Sequence, residues 1–452
     1  MKLRPYPRYK PSGVEWLGEV PENWTIVPFK YRCLRSAIYG ANIGSDQYVP
    51  EGVRFLRTTD IDDFGDIRAE GVFIEPDQAS GYLLADQDIL LSRSGTLGRA
   101  FIYSAHTHPA CAYAGYLVRF VPSPGLNAKF LFYFTKSLSF TDWLQTQVIA
   151  STIGNVNGQK YAQCPLSLPD RTTQDSIVNF LDRETERIDR LVEKKRELIE
   201  RTNEKRKALI LHTVTRGLAS DTAYVVGLPE TSPLKPSGFE WLQGVPAHWQ
   251  VTRLKYAAER IVDCPHETPI YSTNGDFAVI RTADIISGSL QLDNVYRVDA
   301  EEYYRRIRRE SVLPGDVLYG REGERWGFAA LAPNSPVVCL GQRMMQFRAA
   351  AHYSGRFLMW QLNSRSVYEQ GALDTLGSTA PHVNVETIRN YLLTEPPLPE
   401  QIAMAAFLDR ETAKLDAMMQ KVEQAIELLH KYRTALITAA VTGKVNVRKA
   451  VA

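Results

Sequence analysis

Residues 10–31 read KPSGVEWLGEVPENWTIVPFKY, and residues 235–256 read KPSGFEWLQGVPAHWQVTRLKY. Twelve of these 22 positions are identical, and they include both tryptophans, the Val-Pro pair and the closing Lys-Tyr pair. Agreement of this length between two parts of one chain indicates an internal duplication. We therefore expect one unit of about 225 residues to be used twice.

The match returns downstream at a nearly constant offset, while the segments between the matches differ freely, as at 104–150 against 332–375. A shared scaffold with different interiors predicts two domains of one fold with different binding surfaces. Four pairs of matching segments carry the duplication: RTTDI (57–61) with RTADI (281–285), DIL (88–90) with DVL (316–318), NVN (155–157) with HVN (382–384), and FLDRET at both 180–185 and 407–412.

Each half begins with a globular part that mixes short β-like runs with turn signals at glycine and proline. Helical segments are predicted near 127–147 and 354–370. This combination predicts an α+β domain built around a mixed sheet. The runs that predict strands are Val53–Leu56, Ile89–Ser92, Tyr116–Val121, Ala278–Arg281, Val317–Tyr319 and Met344–Arg348.

A long helix is predicted after each globular part. The first begins with a capping box at Thr172-x-x-Asp175 and ends at Gly217, and the second has Pro399 in its first turn and ends at Gly443. In the second helix Leu415, Val422, Leu429 and Leu436 fall seven residues apart, with Met418, Ala425, Tyr432 and Ala439 at complementary positions. Such a heptad seam favours an antiparallel pair formed with the first helix.

The first helix has a more polar seam, because Lys195, Thr202 and Lys205 occupy heptad positions, while Val192 and Ile199 widen its apolar side. The apolar residues expected to pair the helices or to bind a partner are Leu181, Ile188, Leu191, Leu198, Leu209, Leu408, Leu415, Val422, Leu429 and Leu436. The expected boundaries are a globular domain at 1–171, a helix at 172–217, a linker at 218–233, a second domain at 234–398, a second helix at 399–443 and a tail at 444–452.

Composition excludes several classes of protein. A net charge of +2 excludes a polycation that coats nucleic acid, so any such surface must be local. No apolar run approaches the ~18–20 residues that span a bilayer, and the opening MKLRPY predicts no secretory signal. The five cysteines are scattered and form no CxxC pair, which favours reduced thiols in a cytoplasmic protein and argues against a zinc site.

Motifs of catalysis are missing from the sequence. No Asn/Asp-Pro-Pro-aromatic tetrapeptide for amino methylation occurs, since Glu395-Pro396-Pro397-Leu398 lacks both the amide or acid and the aromatic residue. Gly443-Lys444 is not a phosphate-binding loop, because Thr438 stands where that loop needs glycine. Pro169-Asp170 with Glu193-Lys194-Lys195 resembles a nuclease pattern, but these residues lie before and within a helix. We therefore expect a protein without a catalytic centre.

The duplicated layout resembles the specificity subunit of type I restriction-modification systems over nearly the whole chain. The resemblance is carried by KPSGxEWLG…VPxxW at each domain start, by Gln174–Thr185 and Gln401–Thr412 at each helix start, and by Asn155–Asn157 and Gly377–Asn384 before the helices. It implies two target recognition domains that read a split sequence in double-stranded DNA. It also implies helices that dock two adenine-methylating subunits using S-adenosylmethionine, a separate restriction subunit, and no cofactor on this chain.

Candidate DNA contacts come in two kinds. Arg57-Thr58 and Arg281-Thr282 occur in both halves, as do Arg93-Ser94 and Arg321, so a shared role on phosphate or in the scaffold is expected. An Arg beside an Asp is as often a structural ion pair, and both readings stay open. Base contacts should come from residues that differ between the halves. These are Arg99, His106, His108 and Tyr113 in the first half, and Arg325, Trp326, Gln342 and Arg343 in the second.

Three further segments have a structural alternative. The repeated Trp-Pro segment at each domain start is read as a clasp that buries large apolar area. The basic-aromatic run Tyr303–Arg309 suits backbone contact with DNA, or forms the solvated face of an amphipathic helix. His106-x-His108 lacks a third metal ligand nearby and is read as a loop.

Two other functions remain open from the sequence: a stand-alone bipartite DNA-binding regulator, and a coiled-coil adaptor that binds protein or glycan. If two half-sites are read, their centres should lie about one helical turn apart, ~10 bp.

Overall fold

The computed structural model describes residues 4–148, 154–225, 233–239, 242, 244–323, 325–375 and 381–448. The chain divides into two compact units, here called unit 1 (residues 1–195 with 423–452) and unit 2 (residues 196–422). Each unit combines the globular part of one half with a stretch of both long helices. The α+β class expected from the sequence is confirmed in both.

Unit 1 contains an antiparallel four-stranded sheet of order β4-β10-β7-β8 and a three-stranded sheet of order β6-β5-β9, in which β5 and β9 are parallel. The segments predicted to be strands and helices form them. The elements are β1 (Tyr9–Pro11), β2 (Glu19–Pro21), β3 (Thr25–Pro28), β4 (Cys33–Tyr39), β5 (Val53–Leu56), β6 (Val72–Ile74), α1 (Pro76–Ala79), β7 (Ile89–Ser92), β8 (Ala100–Ile102), β9 (Cys111–Tyr113), β10 (Leu117–Pro122), α2 (Ala128–Thr135), α3 (Leu138–Gln147), α4 (Gly158–Ala162), β11 (Pro165–Leu168) and α5 (Arg171–Arg216), which continues into unit 2.

Unit 2 repeats this topology, with sheets of order β15-β23-β20-β21 and β19-β16-β22, and again one parallel pair, β16 with β22. The duplication read from the sequence is therefore a duplication of fold. The elements are α6 (Ser220–Val225), β12 (Leu234–Lys235), β13 (Val245–Pro246), β14 (Gln250–Arg253), α7 (Leu254–Ala257), β15 (Ala258–Asp263), β16 (Phe277–Ile280), β17 (Ile285–Ile286), β18 (Ser289–Leu290), β19 (Tyr296–Val298), α8 (Ala300–Arg306), β20 (Val317–Gly320), β21 (Ala329–Leu331), β22 (Val338–Leu340), β23 (Met344–Ala349), α9 (Gly355–Leu362), α10 (Arg365–Ala372), α11 (Val385–Arg389), β24 (Leu392–Glu395) and α12 (Leu398–Val441).

The long helices α5 and α12 pack against each other in antiparallel fashion within each unit. In unit 1 the first third of α5, with Leu181 and Ile188, shares a core with Leu436 near the end of α12. In unit 2 the end of α5, with Ile210, shares a core with Leu408 near the start of α12. The start of one helix meets the end of the other in both cases, which confirms the expected pairing.

The helix starts differ in detail from the prediction. The capping box expected at Thr172 is wrong, because α5 begins one residue earlier and Asp170 Oδ1 accepts the backbone N–H of Thr173 at 2.8 Å. Asp175 instead accepts from Arg171 Nε at 2.9 Å. Pro399 lies in the first turn of α12 as expected, where its missing N–H costs nothing.

Of the two lines of seam residues predicted on α12, the structure has one as predicted, and the other lies one residue further along the helix. Leu415, Val422 and Leu429 are half-buried and Leu436 is buried, whereas Met418 and Tyr432 are exposed. The second line of the seam instead passes through buried Thr412 and half-buried Met419 and Ile426. Seam positions alternate three and four residues apart, and from Leu415 the seam takes the four-residue step first.

The same shift applies to α5. Val192 is buried and Ile199 half-buried, whereas Leu191 and Leu198 are exposed and lie outside the seam. Leu181, Ile188 and Leu209 face inward as expected.

The repeated Trp-Pro segment forms the predicted clasp. Trp24 and Trp249 are fully buried. Trp24 packs at the end of α12, where Gly443 has φ +73° and an added Cβ would come 2.4 Å from Pro21. Trp249 takes the same place against Gly217 at the end of α5. Each clasp thus closes on the end of the long helix from the other half, while Trp241 lies outside the described residues.

The repeated FLDRET segment is a joint between helix and globular part. Asp182 Oδ1 accepts from Tyr133 Oη at 2.8 Å, and its Oδ2 lies 2.7 Å from Lys129 Nζ. At the equivalent position Asp409 Oδ1 accepts from Trp360 Nε1 at 2.8 Å and its Oδ2 pairs with Arg356. These contacts fasten α2 to α5 and α9 to α12, so the repeated aspartate has the same role in both halves.

The five cysteines are free thiols, and four of them are buried. Within the described residues no group of three or more His, Cys, Asp or Glu side chains is placed to hold a metal ion. Among the described helices none is both long and apolar enough to cross a membrane.

Candidate DNA interface

Candidate residues of unit 1 meet where parallel strands end. Arg57 and Thr58 follow β5, and Tyr116 follows β9 after two intervening residues; both strands run in the same direction, so their carboxyl ends lie at one edge of the sheet. Ser94 reaches the same place from the loop after β7. Together with Asn42 and Tyr48 they line a groove of about 610 Å³.

Unit 2 gathers its candidates in the same way. Arg281 and Thr282 follow β16, and Gln342 and Arg343 follow β22, the parallel partner of β16. Arg325 is exposed in the loop after β20 and donates from Nη1 to the carbonyl of Ala283 at 3.0 Å. Arg343 is exposed. Exposed guanidinium groups at a strand edge can bind base edges or phosphates.

The shared arginines Arg57 and Arg281 form identical bidentate ion pairs. Arg57 Nε and Nη2 lie 3.0 and 2.8 Å from the Asp60 carboxylate, and the corresponding distances from Arg281 to Asp284 are 2.9 and 2.8 Å. Each aspartate also accepts the arginine's own backbone N–H at 2.8 Å, which closes the turn. The hydrogen bonds raise the pKa of both guanidinium groups. The geometry therefore supports a structural ion pair in each unit. Only the outer edge of each guanidinium remains for a phosphate.

The equivalent arginines Arg93 and Arg321 have opposite surroundings. Arg321 is buried, with Nη2 at 2.8 Å from Glu322 Oε1 and Nε at 3.3 Å from Asp263 Oδ1. Arg93 is half-buried over the ring of Tyr39 at 5.0 Å, and no carboxylate of the described residues lies within ion-pair distance of it. Tyr39 is the β4 residue that corresponds to Asp263 in β15. The positive charge is thus neutralised in unit 2 and retained in unit 1.

Several expected base contacts are not available to a base. Tyr113 is 1% exposed in the core of β9, where burial raises its pKa. Trp326 is buried and stacks on Tyr368 with ring centroids 4.2 Å apart. Arg99 is held by Asp63 at 2.5 Å and by the carbonyl of Thr58 at 3.3 Å. In the sequence, aromatic residues near short strands suggest exposed side chains that contact bases. In the folded protein these two aromatic side chains are buried in the core.

The remaining candidates are placed as follows. Gln342 Oε1 accepts from Thr268 Oγ1 at 2.9 Å, and its side chain is half-buried. His106 is exposed, whereas His108 lies in its loop beside Phe101 at 5.2 Å.

Within Tyr303–Arg309, Tyr303 stacks on Phe277 and Arg306 is buried against Glu302, while Tyr304, Arg305, Arg308 and Arg309 are exposed. The first four residues are the end of the amphipathic helix α8, and the exposed Arg308 and Arg309 follow it, so the outer face of the segment is basic.

Sequence reasoning missed Asn42, Tyr48 and Tyr116 among the residues that line the unit 1 groove. Asn42 and Tyr116 line the groove, and Tyr116 is exposed although it lies between two buried strands. A large aromatic residue after Gly115 at a strand end was the available signal.

The closing Lys-Tyr pair of the repeat lies at a second groove in each unit. Lys30 and Lys255 line grooves of about 1120 and 1030 Å³ at equivalent positions. Each ammonium lies over the ring of the next residue, at 4.9 Å from Tyr31 and 5.4 Å from Tyr256. Both tyrosines are exposed, so burial does not explain why the pair is repeated.

Comparison with known proteins places this geometry in one family. A chain from a structure concerned with complex assembly and conformational transition of the type I R-M system aligns with a TM-score of 0.68 at 16% identity, covering 94% of this chain and 99% of that one, which shows a shared fold. The type I restriction enzyme EcoBI specificity subunit of Escherichia coli is 29% identical over 160 residues, 35% of this chain and only 33% of that protein's length. The family model described as "Type I restriction modification DNA specificity domain" matches twice, at residues 47–201 and 266–428. Since the two matches cover most of the chain, it belongs to the type I restriction-modification DNA specificity family.

Proposed function

We propose that this chain is the sequence-recognition subunit of a type I restriction-modification complex, and that each unit reads one half of a split DNA target. The observation that carries the proposal is the duplicated strand edge with different loop residues. The fold and the Arg-Asp turn are the same in both units, whereas the nearby loop residues differ. They are Asn42, Tyr116 and Arg93 in unit 1, and Gln342, Arg343 and the ion-paired Arg321 in unit 2. Two different readers on one scaffold produce an asymmetric target.

Contacts to phosphate and to bases are assigned by what the units share. The outer edges of Arg57 and Arg281 are common to both units and suit phosphate. Exposed Arg325 and Arg343, with Gln342, are specific to unit 2 and suit base edges in the major groove. Such a local arrangement is compatible with a net charge of only +2.

The helices offer a surface to protein partners. Leu191 and Leu198 on α5, and Met418, Leu428 and Tyr432 on α12, are exposed and lie outside the seam. A partner that packs along either helix would bury these apolar side chains. We assign this surface to two methylation subunits, which use S-adenosylmethionine on adenine, while a restriction subunit supplies cleavage. In this proposal the chain itself is non-catalytic and acts in the cytoplasm.

The proposal predicts the effect of removing the gene. Sequencing of adenine methylation in host cells with and without this gene should show the loss of one split motif, with two specified halves around an unspecified gap. An unchanged methylome in cells that express the methylation partner would contradict the proposal. Nanomolar binding of one sequence by the purified chain alone would favour a stand-alone regulator, and binding without salt dependence would favour an adaptor.

Arg57→Ala tests the phosphate assignment. We expect binding to weaken for all sequences alike, with the slope of log affinity against log salt reduced by about one contact. Titration of the full complex with labelled duplex at several salt concentrations measures this slope. Asp60→Asn is the matched control, since it weakens the same turn but keeps the cation. An altered sequence preference in Arg57→Ala would show that the residue reads bases instead.

A further inference from the structure

Each unit contains an arginine on one long helix, buried in unit 2 and half-buried in unit 1, that pairs with an aspartate of the other long helix. In unit 2 Arg206 of α5 has a side chain only 9% exposed, and its Nε donates to Asp416 Oδ1 of α12 at 2.8 Å. In unit 1 Arg433 of α12 is 13% exposed, and its Nε lies 3.2 Å from Asp189 Oδ1 of α5, without hydrogen-bond geometry. Both arginines lie on the second line of the seam, one residue away from the predicted positions Lys205 and Tyr432.

The two arginines are copies of one another. Arg206-Lys207-Ala208-Leu209-Ile210 matches Arg433-Thr434-Ala435-Leu436-Ile437, and Asp189 and Asp416 are separated by the same offset. Each arginine acts in the unit whose globular part comes from the other half of the chain. Each half of the duplicated chain therefore supplies the seam arginine to the unit that contains the globular part of the other half.

Both arginines also hold a hairpin of the globular part. Arg206 Nη2 donates to the carbonyl of Ser287 at 2.8 Å, and its Nη1 donates to Ser287 Oγ at 3.1 Å. The Arg433 guanidinium lies 5.2 Å from the ring centre of Phe64, whose other neighbour is the ring of His430 at 5.4 Å. Ser287 and Phe64 are at the tips of equivalent hairpins, closed by Ile285–Leu290 pairing and by an Ile61–Ile67 bridge.

The hairpin tips approach the helical elements too closely for a side chain. Gly65 and Gly288, with φ +95° and +91°, follow Phe64 and Ser287. A Cβ at Gly65 would come 2.7 Å from the ring of Phe132, and one at Gly288 would come 2.8 Å from the ring of Trp360. This close fit leaves each hairpin little freedom to change its angle.

The hairpins begin directly after the candidate DNA contacts. Asp60 ends the Arg57 turn and Ile61 opens the first hairpin, and Asp284 and Ile285 do the same in unit 2. Within each unit only a few residues therefore connect the seam arginine to the loop proposed to face DNA. A change in seam register would be transmitted to that loop.

Each pair joins a largely buried guanidinium to a carboxylate that is about half exposed, so its net contribution to stability is small. A single polar residue at a coiled-coil seam position can fix register, because any shift leaves it without a partner. A shift of α5 would part Arg206 from both Asp416 and Ser287, and a shift of α12 would part it from Asp416.

We propose that Arg206 and Arg433 are positioning residues that set the gap permitted between the two half-sites. The inference rests on the proposed function. A gap longer by one base pair moves a half-site by about 3.4 Å and rotates it by about a tenth of a turn. Discrimination between gaps therefore requires each recognition domain to be held at a fixed angle on the helices, which is the contact that these arginines make.

The host genome supplies the probe, because it contains each half-site pair at every gap length. Cells that lack the gene are complemented with the full-length chain carrying Arg206→Met or Arg433→Met, and adenine methylation is sequenced. We expect discrimination against gaps one base pair longer or shorter to fall about tenfold, which corresponds to about 1.4 kcal/mol, while both half-site sequences stay unchanged. Arg201→Met on α5 and Lys431→Met on α12 are matched controls, because both side chains are exposed in ion pairs along one helix.

A charge swap separates positioning from stability. Arg206→Asp with Asp416→Arg restores the ion pair between the helices but removes both donors to Ser287. Relative to Arg206→Met, we expect the charge swap to restore the Tm of the purified chain while gap discrimination stays low. Arg206→Lys should restore part of the Tm and part of the gap discrimination.

The outcomes of the complementation distinguish the two proposals. No split motif with the wild-type chain overturns the proposed function. A single split motif with wild type and the same single gap in a folded Arg206→Met chain overturns the positioning role alone. Loss of methylation at all gap lengths in a folded Arg206→Met chain, with no recovery in Arg206→Lys, also overturns it.

Discussion

Replacement of residues 32–150 by the corresponding segment of another family member will change one half of the recognised DNA sequence and leave the other half unaltered. The segment contains the groove lined by Asn42, Tyr48, Arg57 and Tyr116, which is the proposed reader of unit 1. It leaves in place the clasp around Trp24 and the helix α5. The main sheet and its reader travel together, and their core is completed by retained residues such as Phe29 and Tyr161, against which the new segment must pack.

The exchange has a structural condition. Tyr133 and Lys129 lie inside the segment and bind Asp182 of α5, and Phe64 contacts Arg433 of α12. The incoming segment must therefore supply a hydrogen-bond donor to Asp182 and an aromatic residue at the hairpin tip that contacts Arg433. An incoming segment without them is expected to give a folded reader whose gap discrimination is impaired.

Methylome sequencing of cells carrying the exchanged chain measures both halves of the motif at once. The matched experiment replaces residues 257–375 in the second half, and it should change the opposite half of the motif. Alteration of both halves by either exchange would contradict the assignment of one half-site to each unit. An unaltered motif would show that the strand-edge grooves do not read DNA.

The fold was predictable because the sequence contains two copies of the same unit. Strands such as Val53–Leu56 and Ile89–Ser92 are short apolar runs between turn residues, and the structure forms strands over the same residues. The seam of α12 was predictable for Leu415–Leu436, but not its second line. A heptad pattern permits either a three- or a four-residue step, and only packing against α5 selects Met419 over Met418.

The candidate site was harder to predict because side-chain burial is a property of the tertiary fold. Tyr113 and Arg99 have the residue types of DNA readers, yet Tyr113 fills the core and Arg99 is held by Asp63. Arg206 and Arg433 escaped notice for the opposite reason. Charged residues in a long helix suggest a solvated surface, and only their repetition within Arg-x-Ala-Leu-Ile distinguished them.

Truncation of either clasp tryptophan will strongly destabilise the unit that contains it. Trp24→Ala and Trp249→Ala each leave a large cavity between a domain start and a helix end, and such changes cost about 3–5 kcal/mol. Urea unfolding of the purified chain, followed by intrinsic fluorescence and circular dichroism, measures the loss. Tyr31→Ala and Tyr256→Ala are matched controls, because these repeated aromatic residues are exposed.

Substitution of the tryptophan by phenylalanine will cost the two clasps different amounts of unfolding free energy. Trp249 Nε1 donates to Glu400 Oε2 at 3.0 Å, and Glu400 Oε1 lies 2.8 Å from His248 Nε2. Trp249→Phe removes that donor from a largely buried carboxylate and should cost about 1–3 kcal/mol beyond the lost ring area. Trp24 Nε1 is buried and has no hydrogen-bond partner among the described residues, so Trp24→Phe removes an unsatisfied donor and should be far less costly. Equal losses of unfolding free energy in the two variants would contradict this asymmetry, and would mean that packing of the ring alone stabilises both clasps.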